Sequence, residues 1–103
     1  MASPADADLV RLNLLAVEAA LESLREIAEH PHGASDAERL AFGAEWHDAL
    51  VRLREIERAQ LEGQFRSTEA EMLSRLRREL ERAAPLVQTL DLEPVPTRLP
   101  SVV

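Results

Sequence analysis

The side chains best suited to metal binding in this chain are a histidine and two glutamates on neighbouring predicted helices. By the helix pairing described below, His47 falls near Glu18 and Glu22, and helical bundles hold metal ions with a histidine facing carboxylates of other helices. Such di-metal sites also use a glutamate three residues before the histidine, where this chain has Ala44. We therefore expect His47 to be a boundary histidine bonded to Glu18 or Glu22.

Other patterns typical of catalytic or cofactor sites are missing from the sequence. Glu29, His30 and His32 cluster around Pro31, but no fourth ligand is near them. The chain has no cysteine, no G-x-S-x-G motif and no glycine-rich phosphate loop. We therefore expect no catalytic residue, no metal site and no cofactor, and we predict that the protein is not an enzyme.

Two charged clusters could receive partners of opposite charge. The acidic run has the spacing of a solvated helix face that pairs locally with Arg25. The basic cluster is interleaved with Glu79 and Glu81 and has no aromatic residue for base stacking, so local ion pairs account for most of it. In a dimer, however, it could meet the acidic first half of a second chain. The clusters are Glu18, Glu22, Glu26 and Glu29, and Arg75, Arg77, Arg78 and Arg82.

The overall charge disfavours nucleic acid as a partner. The net charge is −7, and residues 1–50 hold ten acidic residues against three arginines. Phosphate contacts need a basic face, which this half lacks. All twelve basic residues are arginine, which suggests a GC-rich bacterial coding sequence. Because the sequence has neither a signal-peptide pattern nor a long apolar stretch, we expect a cytoplasmic protein that does not bind membranes.

Two apolar seams predict the elements that must position these side chains. Both seams step by four, three, four and three residues, and one chain breaker, segment 30–33, separates them. Pairing residues whose numbers sum to about 66 brings every seam residue opposite a partner, so we predict an antiparallel helical hairpin. Trp46 is then expected in the core against Leu21. The seams are Val10, Leu14, Val17, Leu21 and Leu24, and Phe42, Trp46, Ala49, Leu53 and Ile56.

Capping and breaking residues set the limits of the hairpin helices. The first helix is predicted over about 4–29, because Pro31 disfavours helical backbone at the residue before it. The second is predicted over about 36–62, where the capping box Ser35–Glu38 starts it. Gly43 lies inside this helix, and we expect the first helix to approach it closely.

A change of direction in the apolar face near Gly63 predicts a third helix. At about 100° per residue the later apolar face is rotated by roughly 140° from the earlier one. Thr68–Glu71 forms a second capping box. We predict a break between Glu62 and Thr68 and a third helix over about 68–84, with one continuous long helix as the alternative.

Pro85 is expected to end the third helix and to begin a tail. Residues 1–84 would form one helical-bundle domain, and residues 85–103 an extended or disordered Pro-rich tail. Apolar residues that cannot fold alone, followed by prolines, are typical of a docking segment. The candidate tail docking residues are Leu86, Val87, Leu90 and Leu92.

A second apolar stripe on the first helix predicts self-association. A helix in a two-helix hairpin needs one stripe, and a short third helix cannot cover all of the second one. We therefore predict an all-α fold, with coiled-coil-like seams, in which a homodimer completes the helical bundle. The predicted partner and dimer interface comprises Leu9, Leu12, Leu15, Met72, Leu76 and Leu80.

The function predicted from these features is binding of other proteins. We expect a small adaptor or regulatory scaffold that acts through its helical faces and its tail, with a protein partner that the sequence does not identify. Two alternatives remain open. One is a helical nucleic-acid-binding regulator, for which the third helix is the candidate recognition element, and the other is a metal-binding helical bundle.

Overall fold

Three helices make up most of the described chain: α1 (Pro4–Glu29), α2 (Asp36–Leu61) and α3 (Ser67–Thr89). The computed structural model describes residues 4–30, 33 and 35–97, and only the backbone of residues 4–7. Within these residues the predicted all-helical fold with three helices is confirmed. Helix α1 packs against both α2 and α3, whereas α2 and α3 approach each other less closely.

The predicted hairpin of α1 and α2 is present. All ten seam residues are buried in one core, with Trp46 fully enclosed. Arg52 on α2 donates a hydrogen bond to the Asn13 Oδ1 atom on α1 at 2.9 Å. This cross-helix pair fits the predicted register, because burying both 4-3-4-3 seams against each other fixes which residues of the two helices are neighbours.

The beginning of α2 follows the prediction, but Gly43 does not. Ser35 has extended backbone, and its side-chain oxygen accepts the N–H of Glu38 at 3.1 Å, as the capping box predicts. A Cβ atom at Gly43 would have nothing within 4 Å. The expected close approach of α1 to Gly43 is therefore wrong.

A Schellman motif ends α2 and produces the predicted break. Gly63 has φ +76°, in the left-handed region that glycine adopts without a side-chain clash. The Gly63 N–H donates to the Gln60 carbonyl at 3.1 Å, and the Gln64 N–H donates to the Ala59 carbonyl at 2.9 Å. Because the left-handed backbone of Gly63 cannot continue an α-helix, the chain changes direction after Glu62. The alternative of one continuous long helix is therefore wrong.

Helix α3 differs from its prediction at both ends. It begins at Ser67 after Arg66, which forms no side-chain capping bond, so the capping box Thr68–Glu71 does not start this helix. It also continues through Pro85 to Thr89. Proline inside a helix costs about 3 kcal/mol. Val87 is buried and extends the core-facing stripe of α3 beyond Pro85, and this burial offsets part of that cost.

The stripe of buried residues on α3 begins with a carboxyl group, that of Glu69. The stripe steps by four and three residues from Glu69 to Val87, and every member is buried. Glu69 is fully enclosed, and within the described part of the chain neither of its carboxylate oxygens has a hydrogen-bond partner. Burial of an unpaired polar group destabilises the folded state. The stripe consists of Glu69, Leu73, Leu76, Leu80, Ala83 and Val87.

Opposite effects are expected from two glycine-to-alanine substitutions. Gly43→Ala should stabilise the fold by about 1 kcal/mol, because alanine favours helix and the added methyl meets no neighbour. Gly63→Ala should destabilise it by about 1 kcal/mol, because its left-handed backbone disfavours a Cβ atom. Urea denaturation followed by circular dichroism measures both. A loss of stability in Gly43→Ala would contradict the packing around α2.

Removing the buried carboxyl group of Glu69 should also stabilise the protein. We expect Glu69→Leu to raise the free energy of unfolding by about 1–3 kcal/mol, since an apolar side chain suits the enclosed position better than an unpaired carboxylate. Glu71→Leu is the matched control, because Glu71 is exposed on the same helix. Equal effects of the two substitutions in thermal unfolding would rule out burial as the cause.

Candidate functional site

The segment after α3 turns back and runs along the bundle. Asp91 has φ +54°, its N–H donates to the Gln88 carbonyl at 3.1 Å, and the Leu92 N–H donates to the Val87 carbonyl at 3.0 Å. This is a second Schellman motif, here with an aspartate in the left-handed position. It ends α3 and directs residues 92–97, which have no regular secondary structure, back over α2 and α3. Because residues 85–89 belong to α3, we use the word tail below for residues 92–97.

Glu93 holds this segment against α2 through two neighbouring side chains. The indole N–H of Trp46 donates to the Glu93 carbonyl at 2.8 Å. The Nδ1 atom of His47 lies 2.6 Å from the Glu93 Oε2 atom. His47 is therefore bonded to the tail, and the predicted partners Glu18 and Glu22 are wrong.

Arg77 joins the tail to both helices at the other end of the segment. Its guanidinium donates to the Pro96 carbonyl at 2.9 Å and forms an ion pair with Glu57 of α2. Glu57 is buried, and Arg77 is largely buried beneath the tail. Arg77 belongs to the basic cluster of α3 in sequence, but in the structure it links α3, α2 and the tail.

The candidate tail docking residues contact the core of their own chain. Val87 is buried within α3, and the other three are half-buried against the same core. Val95, which the sequence analysis did not single out, packs there as well. An open cleft of about 740 Å³ remains between the tail and α3, with Leu80, Ala84 and Val87 among its lining residues. The other three candidates are Leu86, Leu90 and Leu92.

The predicted dimer interface divides into an exposed part and a buried part. Leu9, Leu12 and Leu15 on α1 are 58%, 63% and 48% exposed. Leu76 and Leu80 lie in the core of the same chain, so they are not available to a partner in this structure. Met72 is half-buried against that core. We define the leucine stripe as Leu9, Leu12 and Leu15.

Apart from Arg77 and the half-buried Glu18, the members of the two charged clusters are exposed. Arg75, Arg78 and Arg82 are exposed on α3, as are three members of the acidic run on α1. The Nη2 atom of Arg25 on α1 lies 3.9 Å from the Oε2 atom of Glu79 on α3. The exposed members of the acidic run are Glu22, Glu26 and Glu29, and Glu18 is half-buried.

The carboxylate of Asp48 affects the pKa of Arg52 on α2. The hydrogen bond from Arg52 to Asp48 at 2.8 Å, and the negative charge of that carboxylate, raise the pKa of Arg52 above its ordinary value. Arg52 therefore stays charged while it donates to Asn13 across the hairpin.

The structure describes two of the three histidines, His30 and His47. His30 is exposed, and His32 and Pro31 lie outside the described residues. Among residues 4–30, 33 and 35–97, no group of three or more histidine, aspartate or glutamate side chains is arranged to hold a metal ion. Glu57, Arg77 and Glu93 are the polar residues that the sequence analysis did not bring together, because they are far apart in the chain.

Comparisons with protein-family models, curated proteins and solved structures find no match to this chain. No helix in the part of the chain that the structure describes is both long enough and apolar enough to span a membrane. Two features of the molecule bear on its function: the leucine stripe of α1 and the tail seated between α2 and α3.

Breaking the ion pair beneath the tail should destabilise the whole fold. Arg77→Met keeps much of the side-chain volume but removes the guanidinium from buried Glu57 and from the Pro96 carbonyl. We expect a loss of about 3 kcal/mol in urea denaturation, as for other buried ion pairs that lose one partner. Arg78→Met, at an exposed neighbouring position, should change stability by less than about 0.5 kcal/mol. Similar losses in both variants would contradict this role of Arg77.

Proposed function

We propose that this protein is a non-enzymatic protein–protein interaction module that self-associates through the outer face of α1. The observation that carries the proposal is the exposure of the leucine stripe on a chain whose core is already formed by its own three helices. Clustered exposed leucines on a small domain favour a protein interface over free surface.

A heptad register supports a second copy of α1 as the partner of the stripe. With Leu12 at position a and Leu15 at position d, Ala19 falls at the next a position and Leu9 at an e position. In an antiparallel pair, Leu12 of each chain would pack against Leu15 of the other. Leu9 would pack beside Ala16 of the partner subunit. These contacts would cover all three residues of the leucine stripe.

The charges that flank the stripe favour the antiparallel orientation. Arg11 and Glu18 occupy successive g positions, and g positions face each other across an antiparallel seam. Arg11 of each chain would therefore meet the carboxylate of Glu18 of the partner subunit. In a parallel pair, g faces e, and Arg11 would meet Ala16 instead. Electrostatic complementarity supports the self-paired antiparallel arrangement.

The resulting assembly contains two three-helix units joined along α1. Such a dimer presents two copies of every remaining surface, including the acidic end of α1 and the tail of each chain. Duplicated surfaces suit an adaptor or a regulatory scaffold, because bivalent display raises avidity for a partner that also presents two sites. The seam is short, so we expect the dimer to dissociate on dilution.

Light scattering over a concentration series tests the self-association. We expect a monomer–dimer equilibrium for the natural chain and a monomer for Leu12→Glu, because a carboxylate would be buried in the centre of the seam. Leu12 is exposed in the single chain, so circular dichroism should stay unchanged. Leu40→Glu, at an exposed position on α2, is the control and should leave the dimer intact.

Charge reversal tests the orientation. Arg11→Glu and Glu18→Arg should each weaken the dimer by about fivefold, and the double variant should recover most of the loss because it restores opposite charges across the seam. A natural chain that stays monomeric at every concentration would refute self-association. A dimer that survives Leu12→Glu would place the interface elsewhere.

A further inference from the structure

We infer that the groove between α2 and α3 is a binding site for an extended, proline-containing peptide segment, and that residues 92–97 are its tethered occupant. We call it the tail groove and define it by Trp46, His47, Glu57 and Arg77, which surround residues 92–97. This inference is independent of the leucine stripe, because it rests on a different face of the bundle.

The tail groove recognises the segment through its main chain. Trp46 donates to the Glu93 carbonyl at 2.8 Å, and Arg77 donates to the Pro96 carbonyl at 2.9 Å. Carbonyl oxygens are present in every peptide, so these two bonds do not require this particular tail. The contact of His47 with the Glu93 carboxylate adds a preference for an acidic residue at that position. The apolar contacts of Leu92 and Val95 with the core then supply the remaining selectivity.

The occupant is restrained to an extended shape before it binds. Pro94 and Pro96 have a fixed φ, and the residues before them, Glu93 and Val95, are pushed towards the polyproline II region. Polyproline II has three residues per turn, so residues 92 and 95 share one face. Leu92 and Val95 are indeed half-buried against the core, whereas Pro94 is exposed. A segment that is already extended loses little conformational entropy on docking.

The helices leave room for such a segment. α2 and α3 each lie closer to α1 than to one another, and the tail bridges the space between them. The tail does not fill this space, because an open cleft of about 740 Å³ remains between it and α3. Leu80 and Val87 line this cleft.

Tethering explains how a weak occupant keeps its position. Only a few residues separate the end of α3 from the groove, so the effective concentration of the tail is in the millimolar range or above. A free peptide must compete with that concentration. The groove should therefore bind an external segment weakly in the natural chain and more tightly when the tail is released.

Release of the tail in the full chain provides the test. The variant Leu92→Ser/Val95→Ser removes the apolar contacts of the tail and leaves Trp46, His47, Glu57 and Arg77 unchanged. The probe is a fluorescein-labelled synthetic peptide of residues 91–103, measured by fluorescence anisotropy. We expect it to bind the released variant at least about tenfold more tightly than the natural chain.

The single tryptophan gives an independent readout. Trp46 is fully enclosed and bonded to the tail, so its emission should shift to the red in the released variant. Unlabelled peptide should reverse the shift.

A peptide with both Pro94 and Pro96 replaced by alanine should bind about threefold more weakly, because it loses its extended preorganisation. Trp46→Phe in the released variant should weaken binding by about fivefold through loss of one hydrogen bond.

Three outcomes would overturn the inference. A released variant that binds no peptide would show that the tail is an inseparable part of the core. Equal peptide affinity of the natural and released chains would place the peptide elsewhere on the surface. If the released variant binds the natural and the proline-free peptide with equal affinity, the groove does not select proline-containing segments. If the double variant is unfolded by circular dichroism, Val95→Ala replaces it, and the same three comparisons apply with smaller shifts.

Discussion

The dual packing of α1 is the constraint on which the rest of this structure depends. Both α2 and α3 bury their apolar stripes against α1, and they contact each other less closely than either contacts α1. A helix that packs against two neighbours needs a wide buried face, which α1 has from Asn13 through Val17 to Leu21. The space left between α2 and α3 must then be closed by other groups.

Polar groups and the tail close that space together. The ion pair of Glu57 with Arg77 spans the two helices, and Arg77 and Trp46 each donate one hydrogen bond to a tail carbonyl, while the buried Arg77 Nε atom has no hydrogen-bond partner among the described residues. Buried charges and an enclosed indole N–H are costly unless they are bonded. The tail thus supplies acceptors that the helices cannot supply, and the polar residues in turn determine where the tail lies. Stability and peptide recognition therefore depend on the same few hydrogen bonds.

The two proposed surfaces lie on different sides of the bundle. The leucine stripe faces away from the seam of α1, whereas the tail groove lies between α2 and α3, on the far side of the core. Self-association through α1 would therefore leave both tail grooves of a dimer accessible. A protein built in this way could join two copies of an extended ligand, and the short seam would make that joining sensitive to its own concentration.

The sequence by itself determined the elements whose signals are local. The 4-3-4-3 spacing of both seams, the Ser35 cap and the turn near Gly63 each act within a few residues, and they define the hairpin and the break that follows it. The exposure of Leu9, Leu12 and Leu15 followed from the same periodicity.

Only the tertiary structure decided the end of α3 and the position of the tail. Pro85 disfavours helix locally, but α3 continues to Thr89, and burial of Val87 offsets part of the cost of that proline. Glu93 meets Trp46 and His47, and Arg77 meets Glu57, across separations of 20 to 47 residues, and no sequence spacing encodes such contacts. These pairs form because α2 and α3 both pack on α1 with a space between them, and polar groups buried in that space are destabilising unless they form hydrogen bonds.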